Sequence, residues 1–103
     1  MQANILITDG ENRSALAATR SLGMKGCRVV VTASSERSLA SSSKHCSQGA
    51  AVPDPDKAGP EYAQAILDIV SREKIDVIFP MTEVSIHLLN SIRDQLPTNV
   101  VLA

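Results

Sequence analysis

Five short apolar runs alternate with helical or polar segments along the chain, and this alternation constrains the fold more than any other feature of the sequence. The runs cover residues 5–7, 28–32, 49–52, 76–79 and 99–102. Short continuous runs of this kind, rich in Val and Ile, are typical of strands buried on both faces of a parallel sheet. The third run, with one Gly and two Ala residues, is the weakest and suits a sheet edge. The prolines that follow it, in residues 53–56, cannot continue a ladder.

Three segments between the runs predict helices. Residues 14–25 are rich in Ala and Leu, with Ser14 as a possible N-cap and Gly23 and Gly26 as the stop. Pro60 opens a second helix, whose apolar stripe has helical spacing and consists of Tyr62, Ala65, Ile66, Ile69 and Val70. A third helix is predicted over residues 82–95, with Leu88, Leu89 and Ile92 facing inward and Leu96 at its end.

Residues 33–48 are rich in Ser and break the alternation. We expect a mobile loop there, with at most a short helix over residues 38–44, and it could fold over a neighbouring site. The whole pattern predicts one α/β domain over residues 1–103. We expect a Rossmann-like open parallel sheet of five strands in the order 3-2-1-4-5, with helices on both faces.

Composition excludes several classes of function. The net charge is −1, and the chain has one Tyr, one Phe and no Trp, so neither a basic stripe nor a base-stacking platform is available for nucleic acid. The apolar runs are too short to span a bilayer, and residues 1–4 lack the basic and apolar regions of a signal peptide, so we expect no targeting segment. The two cysteines, Cys27 and Cys46, form no disulfide framework and predict reduced thiols in the cytoplasm.

Two polar loops follow the first and fourth strands, and each runs into a helix. Because ligands bind at the carboxyl ends of strands in open α/β sheets, these loops predict one ligand cleft if the two strands are neighbours. The candidate residues are Asp9, Gly10, Glu11, Asn12, Arg13, Pro80, Met81, Thr82 and Glu83. The first loop has a single glycine, so neither the dinucleotide fingerprint nor the phosphate-binding P-loop is present. NAD or FAD binding of the usual kind is therefore not expected.

The residues of these loops have both functional and structural interpretations. Arg13 lies in the first turn of a helix, where a cation is unfavourable unless an anion is bound there, but a surface position would also tolerate it. Asp9 and Glu11 fit a turn, and they could equally hydrogen-bond an amine or hydroxyl of a ligand. Thr82 is a good N-cap, and Glu83 is either a favourable first-turn acid or a ligand contact.

The remaining reactive residues form no recognisable site. His45 and Cys46 are adjacent in the Ser-rich segment, His87 lies within a helix, and none has metal-ligand spacing to Cys27. We expect Cys27 to be buried and His87 to be partly exposed. A phospho-receiver domain is rejected because Gly10 interrupts the acidic pair that it requires, and no acceptor Asp ends the third strand.

Four stretches together resemble the N-terminal (pre-ATP-grasp) domain of the ATP-grasp superfamily, and most of all its carbamoyl-phosphate-synthase-like ligases. They are residues 4–8, residues 23–31, the Val-Pro-Asp-Pro segment 52–55, and residues 75–83, which end in Pro-Met-Thr-Glu. The resemblance implies a ligase that uses ATP and Mg²⁺ to activate a small carboxylate substrate as an acylphosphate for attack by an amine.

The resemblance also implies that this chain is incomplete as a catalyst. In such ligases, ATP and metal are held mainly by two later subdomains, so no catalytic or metal-binding residue is assigned here. We expect the remaining ATP-grasp subdomains as partners, either in the same chain, of which residues 1–103 would be the front part, or in a separate subunit. A free-standing Rossmann-like module that binds a small anion or nucleotide is the alternative.

Overall fold

The computed structural model describes residues 2–103 and contains one parallel sheet of five strands in the order β3-β2-β1-β4-β5. The predicted fold class and strand order are therefore confirmed. The strands are β1 (Asn4–Ile7), β2 (Arg28–Ala33), β3 (Gln48–Ala51), β4 (Val77–Phe79) and β5 (Val101–Leu102). The helices are α1 (Arg13–Met24), α2 (Gly59–Arg72) and α3 (Glu83–Ser91), followed by a short 3-10 helix (Arg93–Gln95).

The sheet is buried on both faces because side chains alternate along each strand. Ile5 and Ile7 of β1 pack on the α1 side, together with Ala15. Leu6, between them, packs on the other side with residues of α2 and α3, including Tyr62 and Leu89. Helices therefore cover both faces, as predicted, and the short apolar runs reflect burial on two sides.

Helix α1 begins earlier than the sequence pattern suggested. Asn12, not Ser14, is its N-cap: the side chain of Asn12 accepts a 2.7 Å hydrogen bond from the backbone N–H of Ser14. Asn is as good an N-cap as Ser, so sequence preference alone did not separate the two. Gly23 lies inside the helix rather than ending it, and Gly26 follows the helix with a φ of 91°.

Gly23 permits a close approach of the Ser-rich segment. A Cβ atom at this position would lie 2.5 Å from the carbonyl oxygen of His45.

No helix forms between β2 and β3 in the described chain. Instead, Ser side chains bond to nearby backbone groups, as where Ser41 Oγ accepts the N–H of Ser38 at 2.7 Å.

The other two helices follow the predicted stripes closely. Helix α2 starts at Gly59 with Pro60 in its first turn, and Tyr62, Ile66, Ile69 and Val70 are buried, while Ala65 is half-buried. Helix α3 is shorter than predicted. It ends at Ser91, because Ile92 leaves helical geometry at ψ 15°, and the chain continues as the 3-10 helix. Leu89 is buried, and Leu88, Ile92 and Leu96 pack around the same core.

Within residues 2–103, no helix combines the length and the apolarity needed to cross a membrane.

Candidate functional site

The two predicted loops meet at the carboxyl edge of the sheet because β1 and β4 are neighbours. Ile7 pairs with Phe79, which places the residues that follow these strands side by side. The N–H of Met81 donates to Thr8 Oγ1 at 3.0 Å and approaches Asp9 Oδ2 at 3.3 Å. Hydrogen bonds thus join the two loops directly.

Asp9 is half-buried and is the centre of a polar network whose other side chains, those of Thr8, Ser85 and Tyr62, are buried. Its backbone has a φ of 58°, in the left-handed region that Asp tolerates better than most residues. Its carboxylate accepts hydrogen bonds from Thr8 Oγ1 at 2.5 Å and from Ser85 Oγ at 3.0 Å. Since the single hydroxyl proton of Ser85 goes to Asp9, the phenol of Tyr62 is the donor in its 2.8 Å bond with Ser85.

The environment of this network shifts the acidity of Tyr62. Burial raises the pKa of Tyr62 to about 12, and the negative charge of Asp9 adds to the shift, while the hydrogen bonds with Ser85 and Thr8 oppose it. Tyr62 therefore stays a neutral donor, and the chain Tyr62–Ser85–Asp9 connects α2, α3 and the loop after β1.

Thr82 is the N-cap of α3, as predicted. Its side chain accepts a 3.3 Å hydrogen bond from the backbone N–H of Ser85. Glu83 follows in the first turn and is exposed to solvent. This geometry supports the structural role of both residues at the start of the helix, and it leaves a ligand contact by Glu83 as a prediction.

A cleft of about 450 Å³ opens beside this network, at the carboxyl ends of β1, β2 and β3 and the start of α2 and α3. Five of the nine predicted residues line it: Asp9, Gly10, Glu11, Asn12 and Thr82. The other four do not: Arg13 and Glu83 are exposed nearby, and Pro80 and Met81 are half-buried. The cleft is thus displaced from β4 toward β2 and β3.

The displacement brings in residues that sequence reasoning did not assign to the site. They are Thr32, Ala33 and Ser34 after β2, the segment 52–56 after β3, and Tyr62 and Val84 of the helices. The Val-Pro-Asp-Pro-Asp segment was a usable signal, because it follows a parallel strand at the same edge as the first loop. The sequence did not predict that Tyr62 lines the cleft, because its helical spacing indicates only a position on the core-facing stripe.

The cleft is acidic. Asp9, Glu11, Asp54 and Asp56 line it, whereas none of the described lining residues is Lys, Arg or His. No salt bridge of residues 2–103 includes any of these four carboxylates. Glu11 and Asp54 instead accept backbone N–H groups, from Leu39 at 2.7 Å and from Asp56 at 2.8 Å.

Thr32 provides an unpaired polar atom at the cleft. The residue is fully buried, and its Oγ1 has no hydrogen-bond partner among the described residues. Thr32 pairs with Ala50 and lies two residues after Val30, and both of these neighbours belong to the core on the Tyr62 side. Its side chain is therefore on the same face of the sheet as Tyr62, at the floor of the cleft.

Gly10 holds the first loop close to the Ser-rich segment. Its N–H donates to the carbonyl of Thr32 at 2.9 Å, and its carbonyl accepts from the N–H of Ala40 at 2.8 Å. A Cβ atom at Gly10 would lie 2.8 Å from a methyl group of Val31 and closer still to the hydroxyl of Ser38. This glycine therefore serves close packing rather than a phosphate-binding loop.

The cysteines and histidines lie outside the cleft. Both thiols are free and half-buried, so Cys27 is more exposed than predicted, and burial raises the pKa of the Cys46 thiol. His87 is exposed and His45 is half-buried. Residues 2–103 contain no group of three or more His, Cys, Asp or Glu side chains placed to hold a metal ion.

Comparison with known proteins identifies one family model over nearly the whole chain. The model, described as the PylC-like N-terminal domain, matches residues 5–102. No curated protein matches the chain.

Proposed function

The chain belongs to the family of PylC-like N-terminal domains, and we propose that it forms the substrate-side wall of an ATP-dependent carboxylate–amine ligase. The family match supports this proposal, because a PylC-like N-terminal domain is the pre-ATP-grasp domain of an ATP-grasp ligase, and other domains would complete the enzyme. The observation that carries the proposal is the cleft of about 450 Å³ at the carboxyl edge of the sheet. Its volume suits a small-molecule substrate.

The reaction class is the one that the ATP-grasp resemblance implies. A carboxylate is activated as an acylphosphate at the expense of ATP, and an amine then attacks the carbonyl carbon and releases phosphate. The residues of this chain would bind and orient a substrate and exclude water, and we assign none of them to the chemical steps. Kinship with carbamoyl-phosphate synthases and a cytoplasmic location stay predictions.

The donor set of the cleft does not fit ATP or Mg²⁺. A triphosphate requires cationic side chains or a Gly-rich cradle, and the described residues that line the cleft offer neither. Mg²⁺ requires clustered oxygen ligands, and no such cluster exists within residues 2–103. We therefore propose that both are held by the other domains of the ligase.

One face of the sheet supports the idea that further domains pack on this one. Helix α1 packs on β1 and β2. On the same face, Val77 pairs in register with Val101, whose exposure rises to 57% at the sheet edge. Because paired positions share a face, Val77 and Val101 form an apolar strip. This strip extends from the area that α1 covers to the solvent-exposed edge of the sheet.

Arg13 is proposed as a contact for the anionic part of a substrate. It is exposed at the first residue of α1, and no salt bridge among residues 2–103 includes it. The partial positive charge of the helix N-terminus favours an anion at this point. Asn12, the residue before Arg13, lines the cleft, so an anion bound by Arg13 would lie at the edge of the cleft.

The test is ADP formation by the full-length gene product, measured with a panel of small carboxylates and amines. We expect ADP release to require both substrates and to be absent for residues 1–103 alone. ATP turnover that needs neither substrate would contradict the proposal. If the native product has the 10.9 kDa mass of this chain, co-purification of a second chain with ATP-grasp activity would indicate a split ligase. Failure to find any such chain would favour a free-standing binding module.

A further inference from the structure

We propose that a second copy of this chain pairs with the outer edge of β5, so that the protein forms a dimer with two-fold symmetry. Strand β5 (Val101–Leu102) ends the strand order, so one side of it has no strand partner within residues 2–103. The inference goes beyond the proposed function, because this edge lies at the opposite end of the strand order from β2 and β3, which border the cleft.

The first argument is the direction of the backbone groups of β5. The N–H of Val101 donates to the carbonyl of Asp76 at 2.9 Å. The N–H of Ala103 donates to the carbonyl of Ile78 at 3.0 Å, so both donors point toward the β4 side. Because successive residues of a strand point to alternate sides, the N–H and C=O of Leu102 point away from β4. Opposed residues of antiparallel strands exchange both bonds, so a two-fold axis at Leu102 pairs it with Leu102 of a second copy.

The second argument is the apolar character of this edge. Val101 is 57% exposed, although it belongs to the sheet. Edge strands are commonly protected from pairing by a charged residue, by Pro or by a covering segment. Residues 101–103 include neither a charged residue nor Pro. The other edge strand differs, because the Ser-rich segment packs against β3: a Cβ atom at Gly49 would collide with the carbonyl oxygen of Glu36.

The third argument is the self-complementary surface beside β5, where the 3-10 helix leads into the strand. A cavity of about 330 Å³ lies there, and its lining includes Val100, Leu102, Arg93 and Asp94. Arg93 and Asp94 are exposed, and no salt bridge of residues 2–103 includes either of them. A two-fold axis brings a second cation and a second carboxylate to the same edge, so each charge can lie opposite its complement. This self-complementarity favours a second copy over an unrelated strand.

The side chains around β5 have to contribute most of the interface. Stable interfaces bury about 800 Å² on each partner, which is more than the pair of hydrogen bonds at Leu102 can bring together. The exposed side chain of Val101 and the lining of the cavity would supply the remaining contact. Because the pairing continues the sheet, it leaves the α1 face of Val77 and Val101 open to the other domains of the ligase.

The experiment is sedimentation velocity of the full-length gene product over a range of concentrations. We expect a reversible equilibrium between monomer and dimer without larger species, because two-fold pairing occupies the free edge in both copies. Val101→Lys places a charge on the edge and should raise the dissociation constant by about tenfold or more. Met24→Lys is the matched control, because Met24 is 72% exposed on α1, and it should leave the dissociation constant unchanged.

An exchange of the two charges tests the assigned pairing. Arg93→Asp alone, or Asp94→Arg alone, leaves charges of a single sign at this part of the edge. Each should raise the dissociation constant by about threefold or more, and less at high salt. The double variant Arg93→Asp with Asp94→Arg again has one charge of each sign in both copies, so dimerisation should recover.

Several outcomes would overturn the inference. They are a monomer at every concentration, species larger than a dimer, equal effects of Val101→Lys and Met24→Lys, and a double charge variant that fails to recover. None of these outcomes bears on whether the gene product forms ADP from ATP with a carboxylate and an amine. Conversely, a dimer that responds to the variants as expected would support the inference even if no ADP were formed.

Discussion

The hydroxyl of Ser85 donates a 3.0 Å hydrogen bond to the carboxylate of Asp9, although 76 residues separate the two along the chain. This bond fixes the start of α3 against the loop that follows β1. Both elements border the cleft, so its shape depends on this contact.

Removal of the Ser85 hydroxyl should destabilise the domain. Ser85→Ala deprives Asp9 of a donor and Tyr62 of an acceptor in a buried setting, and we expect the free energy of unfolding to fall by about 1–3 kcal/mol. Urea denaturation measures the change. Ser91→Ala, at an exposed position of the same helix, is the control and should cost less. Equal losses in the two variants would contradict a special role for the network.

Tyr62 should titrate far above its ordinary range. It is the single Tyr of the chain, which has no Trp, so the near-ultraviolet absorbance of tyrosinate reports on it alone. We expect a pKa of about 12 in the folded state, and a lower pKa in Asp9→Asn, because the negative charge of Asp9 contributes to the shift. An unchanged pKa in this variant would argue against the contact.

The same shift predicts a loss of stability at high pH. The folded-state pKa of Tyr62, about 12, lies above the ordinary value of 10.0, so the unfolded chain releases its proton first. Stability from this group is therefore complete below pH 10 and declines as the pH rises toward 12. Tyr62→Phe should decline less over this interval in thermal melts followed by circular dichroism.

Thr32→Val should stabilise the free chain. The substitution removes a buried hydroxyl without a partner among the described residues and retains the side-chain shape, so we expect a gain of about 1 kcal/mol in the free energy of unfolding. Thr19→Val is the matched control. Thr19 is equally buried, but its hydroxyl donates to the carbonyl of Ala15 at 2.8 Å, so its replacement should bring no such gain.

Gly10→Ala should be poorly tolerated. The added Cβ would collide with Val31 and Ser38, which are both buried, and we expect a loss of about 1–3 kcal/mol in urea denaturation. In the control Gly59→Ala, the nearest atom is the flexible end of Leu88 at 3.1 Å, and stability should change by about 0.5 kcal/mol or less. Similar losses in the two variants would mean that the loop can adjust.

Arg13→Ala tests the proposed anion contact. It removes a cation from the first turn of α1, so the free chain should gain about 0.3–1 kcal/mol of stability, while binding of inorganic phosphate should weaken by about 1–3 kcal/mol. Calorimetric titration measures the second effect. Arg20→Ala, exposed on the same helix, should leave phosphate binding unchanged. Unchanged binding in Arg13→Ala would remove this residue from the site.

Local patterns were sufficient where a single physical requirement dominated. The β-branched run of β2 and the apolar stripe of α2 were correctly predicted because burial on a sheet or a helix face leaves a period in the sequence. The exact start of α1 was not correctly predicted, because Asn12 and Ser14 are comparable N-caps and only the backbone geometry distinguishes them.

By itself, the sequence determined the strand and helix alternation, hence a parallel sheet with polar loops at its carboxyl edge, because strands buried on both faces require continuous apolar runs. The tertiary structure alone decided which side chains share the cleft. Thr32, Tyr62 and Val84 come from three separate elements, and each is locally indistinguishable from an ordinary strand or helix residue. The packing of α2 and α3 against the sheet brings them together. Such long-range contacts produce no periodic pattern in the sequence.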